Sequence, residues 1–536
     1  MIQDSAGAAG KKEMMAVHGQ VRAWAAAGAF GASACCALGQ SGWPTLARGP
    51  ARIALTDQAP TSLAQPAWIF RDTAFGAFTP IGLSGVVTGE GLVFAVGELS
   101  GASVAVAIEQ ATGELVWVRE VPEPVFDSWS TPAYDEATGA LYIGAGTELV
   151  ALRADSGDRT WITSLGGEIV NGSPVITSDL GAADRAFVVD SSGFGGGGRL
   201  HCVNIDPFHM AENPFVPGEV VWSFDLGQTS GSTPAYADGV VYVATAGDDS
   251  GRPPGLLFAL PAGVPASPAP LWVTPNPAPE GFYGGLCVDE SGAEPAIYAA
   301  SYAFFGGINA GNLVKVRAAD GAVRWSVPCN RTASIPVPLG DGRIALSAGL
   351  RGFGSVPSVQ LFRDEGSKAR LLWDSALWTW KDADRDGQLD PGEFMEMGGW
   401  THQPAAAKLD TRTLLIAGTI GAGFFDPYDT LRIVDLRFAP GHPNFIVGEA
   451  PAGGSSCAID GGSVFSIGPG GVAAFISAAP PCYADCDRSG VLDIFDVLCF
   501  QSLFSAGNRA ADCDDSGTLD LFDFLCFQVA FDMGCP

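Results

Sequence analysis

Charge is scarce in this chain. Charged residues make up 16% of it, with 29 basic against 58 acidic and a formal net charge of −29. Such a surface repels phosphates, which excludes nucleic acid and anionic lipid surfaces as partners. Histidine is rarer still. The five are His18, His201, His209, His402 and His442, and none stands in an H-E-x-x-H pair. There is no G-x-S-x-G elbow and no C-x-x-C-H haem site, so neither a local hydrolase nucleophile nor a haem electron relay is available. The formal G-x-G-x-x-G at 193–198 runs into LHCVN, a strand pattern, so no helix N-terminus follows it to hold a phosphate. No stretch approaches the ~20 uninterrupted apolar residues of a membrane-spanning helix.

What the chain does have is glycine (71), proline (37) and 47% hydrophobic residues, a mix that points to many short strands separated by turns. Its 536 residues exceed one ordinary core and suit a repeat architecture with a small added module. Lys11 and Lys12 precede an Ala-rich stretch over 21–38, broken by Arg22 and ending near Ala32-Ser33-Ala34. This reads as a secretory leader over 1–39, followed by a linker over 40–65. A lipoprotein-like site at Ala34-Cys35 and a plain Ala-rich leader are the alternatives. Six of the twelve cysteines fall between Cys482 and Cys535, the density of a disulfide framework and an oxidising compartment. The expected location is secreted or at the cell surface, with the periplasm also open.

Residues 66–479 repeat themselves. One element is a Ser/Thr-Pro or Gly/Ser step leading into an alternating strand, as in STPAYDEATGALYIGAG from Ser130 and GSTPAYADGVVYVATAG from Gly231. Another copy starts at Gly172, and looser ones near Ser84, Gly285, Ile335, Gln403 and Ser456. A second element follows each: a short apolar strand, a small turn and often a tryptophan, at Trp117, Trp161, Trp222, Trp272, Trp325 and Trp373. Phe445 is expected to take the Trp place in the seventh copy. The eighth copy has VAAF at 472–475 and no Trp after it, whereas Trp68 precedes the first copy with no repeat before it. A strand around Trp68 can therefore complete the last sheet and close a ring of eight four-stranded blades.

The copies VAIEQATGELVW and VALRADSGDRTW resemble the PQQ-like propeller repeat, roughly A-L-D-x-x-T-G-x-x-x-W. The resemblance implies an all-β eight-bladed β-propeller. That family includes quinone-dependent dehydrogenases and non-catalytic outer-membrane assembly scaffolds, so it implies a fold and not an activity. A quinone site in this family uses calcium, a catalytic Asp and often adjacent cysteines. The adjacent pair here, Cys35-Cys36, lies in the leader, so PQQ is not expected. Asp248 with Asp249, or Asp426 with Asp429, could form a glycosidase acid and base, but acids on an acidic surface are more often just solvated. Cys202, Cys287, Cys329 and Cys457 read as buried thiols. No catalytic residue is assigned.

An insertion over 374–401 contains DADRDGQLDPGEF. From Asp382 it fits a twelve-residue EF-hand loop: Asp382, Asp384, Asp386, Gln388 through its carbonyl, Asp390, and Glu393 as the bidentate ligand, with Gly387 at the sharp turn. Carboxylates crowded this closely repel one another unless a cation sits among them. The flanks SALWTWK and FMEMGGW are candidates for short helices, and their Trp and Met residues for a contact surface.

From Cys482 the sequence repeats at a 27-residue interval, DCDRSGVLDIFDVLCFQ and then DCDDSGTLDLFDFLCFQ. The first loop offers Asp485, Asp487, Ser489, Val491, Asp493 and Asp496 as calcium ligands; the second offers Asp512, Asp514, Ser516, Thr518, Asp520 and Asp523. With the insertion, three calcium sites are expected. Paired loops ending in Asp, each followed by one helix, resemble a dockerin, and the cysteine-rich C-terminal setting is most similar to GC-type dockerin domain-anchored proteins. The resemblance covers 482–536 and implies docking onto a cohesin-like or other extracellular anchoring partner. Ile494, Phe495, Leu521 and Phe522 stand where cellulosomal dockerins choose that partner, but apolar residues there depart from the cellulosomal pattern. Cys482 and Cys535 have no repeat counterparts and bracket the module, which favours a clasp between them. For the rest, Cys486–Cys499 with Cys513–Cys526 is the local pairing and crossed pairing is the alternative. Three functions follow: a docked binding or scaffold propeller, a carbohydrate-active component of an extracellular complex acting on polysaccharide, and a PQQ-dependent dehydrogenase.

Overall fold

The computed structural model describes residues 42–533 apart from 61–62, 64, 81–83, 126–127, 129, 192–196, 248–253, 303–310, 351–354, 379–395, 410–411, 421–427, 439–441, 443–444, 477–483, 485, 487–491, 493, 506–510, 512 and 514–518. The alternating strands pair into eight antiparallel sheets, the blades of a propeller. Blade 1 uses Val87–Gly89, Leu92–Leu99, Ala102–Glu109 and Leu115–Glu120. Blades 2 to 7 span 133–164, 175–225, 235–275, 286–329, 337–374 and 405–450. In each, strands A to D run in chain order from the axis outward. Blade 8 has only three strands from 458–475, and Trp68–Phe70 supplies its outer one, with Trp68 opposite Ala474. The ring is thus closed by the N-terminal strand, as the count of tryptophans implies.

The row that carries each Trp explains the repeat. In strand B of the same row stands an aromatic, and in strand C usually a small residue, so two rings meet across the blade. Phe94–Trp117, Tyr142–Trp161, Phe187–Trp222, Tyr242–Trp272, Tyr298–Trp325 and Phe465–Trp68 lie with centroids 5.7–6.1 Å apart. Each Trp also seals the next blade. Trp68 Nε1 donates to Gln110 O at 3.0 Å and Trp117 Nε1 to Ala154 O at 2.7 Å. The glycines of the next blade's C–D turn take positive φ there, 77° at Gly113 and 68° at Gly157, and a Cβ on either would come within 2.6–2.7 Å of the Trp ring. This is why T-G or S-G precedes the Trp in the repeat: the glycine makes the turn and leaves a flat seat for the neighbour's indole.

Blade 7 corrects one expectation. In blades 1, 2, 3, 5 and 6 the Trp lies opposite the strand C residue just before a bulge, as Trp325 does opposite Lys315 and Trp373 opposite Leu361. In blade 7 that residue is Ile433, and its partner is Gly448, not Phe445. Phe445 sits earlier in the strand approach and meets Trp373 edge-on at 5.3 Å. The buried side chain of Leu63, from before the first repeat, lies against Gly448 instead.

The Ser/Thr step that opens each copy forms a collar around the axis. Thr131 Oγ1 accepts from Gly85 N at 2.9 Å, Ser173 Oγ from Thr131 N at 2.9 Å, and Thr233 Oγ1 from Ser173 N at 3.1 Å. On the other side, Gln403 Oε1 accepts from Ile335 N at 2.9 Å and Ser456 Oγ from Gln403 N at 3.1 Å. Each side chain satisfies an amide of the preceding blade that has no ladder partner at the crowded axis.

The segment expected to be a linker is not a spacer over its described part. Residues 42–58 coil across the axis on the side of the A–B hairpins, with Trp43, Arg52 and Ala54 buried. Backbone bonds tie Trp43 to Thr88, Pro44 to Tyr134, Pro50 to Tyr236 and Ala51 to Val288. Leu55–Thr56 adds a parallel strand inside blade 7, opposite Ala406 and Ala407. The Arg52 guanidinium, with no exposed surface, donates to Pro234 O, Pro174 O and Leu46 O at 2.8–2.9 Å. Burial lowers its pKa to about 9, so it stays cationic at neutral pH, held by carbonyl dipoles. Apolar spacing could not have announced this plug, because its bonds are made by backbone groups.

The calcium-loop residues of the insertion, Asp382, Asp384, Asp386, Gln388, Asp390 and Glu393, lie outside the described residues. Of its flanks, Ser375–Trp378 is a helical turn, but 396–400 is not helical. Gly398 N donates to Gly418 O, and Met397 and Trp400 are buried, Trp400 stacked on Tyr302 at 5.4 Å. These two side chains pack inside the propeller, not on a contact surface, and Trp380 and Met395 lie outside the described residues.

Candidate functional site

The C-terminal repeat folds as two helices, Ile494–Ser505 and Leu521–Met533. Asp520 precedes the second and accepts from Phe522 N at 2.8 Å, an N-cap. Asp496 and Asp523, position twelve of each loop, sit in the first helical turns with fully buried side chains. Asp523 reaches back over its loop: Oδ1 accepts from Cys513 N at 2.7 Å and Oδ2 from Asp520 N at 2.8 Å. A carboxylate is favoured at this positive helix end. Two buried carboxylates fixed at the ends of loops rich in hard oxygen donors fit the chemistry of calcium. Among the described residues, no group of three or more His, Cys, Asp or Glu is arranged around a metal position. Asp485, Asp487, Ser489, Val491, Asp493, Asp512, Asp514, Ser516 and Thr518 lie outside them.

Cys486–Cys499 and Cys513–Cys526 are disulfides, each joining a loop to its own helix. Cys482 and Cys535 lie outside the described residues. The core between the helices is small. Phe500 and Phe527, related by the repeat, stack at 4.2 Å with Ala511 beside them. What this core leaves out is large. Ile494 and Phe495 are each 62% exposed, Leu521 70% and Phe522 65%. Leu498, Leu525 and Val529 extend the two faces and are likewise exposed.

The collar of Ser, Thr and Gln side chains offers much less. Above the plug, the collar encloses a cavity of about 20 Å³, lined by Thr131, Thr233, Ser334, Gln403 and Ser456 among others. That holds about one water, whereas small-molecule sites run to roughly 300–1,000 Å³. A tricyclic quinone exceeds this one cavity, and Cys35 and Cys36 lie outside the described residues. Of the candidate acid pairs, only Asp429 is described; it is exposed and accepts from Thr430 Oγ1. Cys202, Cys287, Cys329 and Cys457 are buried free thiols.

One arrangement escaped the sequence. In blade 3, Ser223 Oγ and His201 Nδ1 are hydrogen-bonded at 2.8 Å, and His201 Nε2 and Asp190 Oδ2 at 2.8 Å. This has the order of a nucleophile relay, but His201 and Asp190 are buried inside the sheet. The equivalent places in blade 6 hold Gln360 and Asp374, bonded at 2.8 Å, so the bridge braces strand C to strand D. Only strand register brings these residues together, and no sequence spacing signals it.

With this geometry in hand, the class is an eight-bladed β-propeller. Residues 61–207 match the family model described as outer membrane protein assembly factor BamB. A europium-containing methanol dehydrogenase is 11% identical, over 84% of this chain and 95% of that one, with a TM-score of 0.51. A quinohemoprotein alcohol dehydrogenase from Comamonas testosteroni is 13% identical over 79% and 76%, with a TM-score of 0.49. BamB from Moraxella catarrhalis is 14% identical over 76% and 96%, with a TM-score of 0.48. The likeness to the methanol dehydrogenase is one of fold alone. No curated protein matches the chain in sequence. Among the described residues, no helix is long and apolar enough to cross a membrane.

Proposed function

We propose that this chain is an exported protein docked onto an extracellular partner by its C-terminal helix pair, with calcium in the acidic loops and the propeller as a binding or scaffold domain. One observation carries the reading. Seven large apolar side chains stay exposed on two short helices, most of them at positions related by the 27-residue repeat, although a core is available between the helices. A monomer without a partner does not leave such faces to water. The loops support a calcium-dependent fold, because binding energy becomes folding energy in a module this small. The partner class, cohesin-like, rests on the dockerin resemblance.

The test is capture of secreted proteins by the full chain, in calcium and in chelator, beside the double variant Phe495→Asp, Phe522→Asp. A partner retained in calcium, and lost both with chelator and in the variant, supports the reading. Retention indifferent to both refutes it.

A further inference from the structure

The seam that closes the ring is slight. Trp68–Phe70 makes three register pairs with 472–474, whereas the other outer strands make four or more. On its C-terminal side this strand runs into the hairpin Asp72–Thr73 and Gly76–Pro80, which pairs with blade 1. On its N-terminal side it runs back through Leu63, packed on blade 7, and Gln58, whose Oε1 accepts from Gly462 N of blade 8, into the axial plug. The plug in turn bonds to blades 1, 2, 3, 4, 5 and 7.

We infer that residues 42–60, together with Leu63, are an axial strap that holds the seam strand in place, so that ring closure at blade 8 depends on contacts made on the opposite side of the axis. The physical reason is tethering. A three-residue strand frays readily by itself. Anchored about ten residues away in a buried plug, it re-pairs as an intramolecular event at high effective concentration. Arg52 is the pin of the anchor. It bonds carbonyls of blades 3 and 4, far around the ring from the seam, and it holds a left-handed backbone turn with φ of 60°. The strap also explains why the seventh Trp is replaced: Leu63 passes over Gly448, where a Trp in blade 7 would meet it.

Hydrogen exchange on the full chain tests this with Arg52→Met, which keeps the stem and removes the guanidinium. The amides of 68–70 and 472–474 are expected to exchange at least about tenfold faster, while the outer strands of blades 3 and 4 keep their protection. A merely local role for Arg52 would do the opposite. Acceleration confined to the neighbourhood of Ser173 and Pro234, with the seam unchanged, overturns the strap. Should Arg52→Met not fold, a protease site inserted after Pro60 and cut in the folded protein removes the tether without removing a contact. The same acceleration of the seam supports the inference, and an unchanged seam after complete cleavage overturns it.

Discussion

Gly157→Ala tests how the blades are sealed. Gly157 has φ of 68°, and a Cβ there would stand 2.7 Å from two atoms of the Trp117 ring. Two costs therefore add. Holding alanine in the left-handed region costs about 1–2 kcal/mol. Pushing the indole off its seat costs about 1–3 kcal/mol, because Trp117 is buried and its Nε1 is tied to Ala154 O. The total is about 2–5 kcal/mol, less the few tenths gained by stiffening the unfolded chain. Gly139→Ala is the matched control. Its φ is 61° and nothing lies within 4 Å of the added Cβ, so it bears the backbone cost alone. Equilibrium urea unfolding followed by tryptophan fluorescence gives both values. The difference between the two variants isolates the Trp seat, expected at about 1–3 kcal/mol. Equal destabilisation by both would refute the claim that the repeat's glycine exists to receive the neighbouring indole.

His402 gives a pH dependence. Burial lowers its pKa to about 3, and Nε2 accepts from Gly418 N at 3.0 Å, so the folded protein holds it neutral. The unfolded chain protonates it below pH ~6.5, so stability falls by roughly 1.4 kcal/mol per unit as pH drops from there towards the folded pKa. His402→Gln should flatten that slope in unfolding titrations, and an unchanged slope would assign the acid sensitivity elsewhere. The thiols of Cys202, Cys287, Cys329 and Cys457 are buried and their pKa values raised by burial, so a water-soluble disulfide reagent should label none of them in the native protein and all of them in denaturant. Native labelling at any of the four would mean that its blade opens.

Much of this molecule is written in its sequence. Period-two strands, positive-φ turns and recurring Trp are local signals, so the repeat, the number of blades and closure by Trp68 are all legible without a structure. The 27-residue repeat likewise marks the two helices and sets Phe500 beside Phe527, because identical units pack about a pseudo-symmetry. Tertiary structure alone decided three things. It put Gly448, not Phe445, at the seventh Trp place, since the extra residue Val447 bulges strand D and shifts its register against Ile433 and Val434. It made 42–58 a plug through backbone bonds and one buried Arg52, which no hydrophobic period records. It buried Met397 and Trp400, where the composition of the insertion pointed outward. Local patterns fix which face of a strand is apolar. What fills the axis is set by contacts between residues far apart in the chain, such as Arg52 with Pro234 and Leu55 with Ala406, and those exist only once the blades have come together.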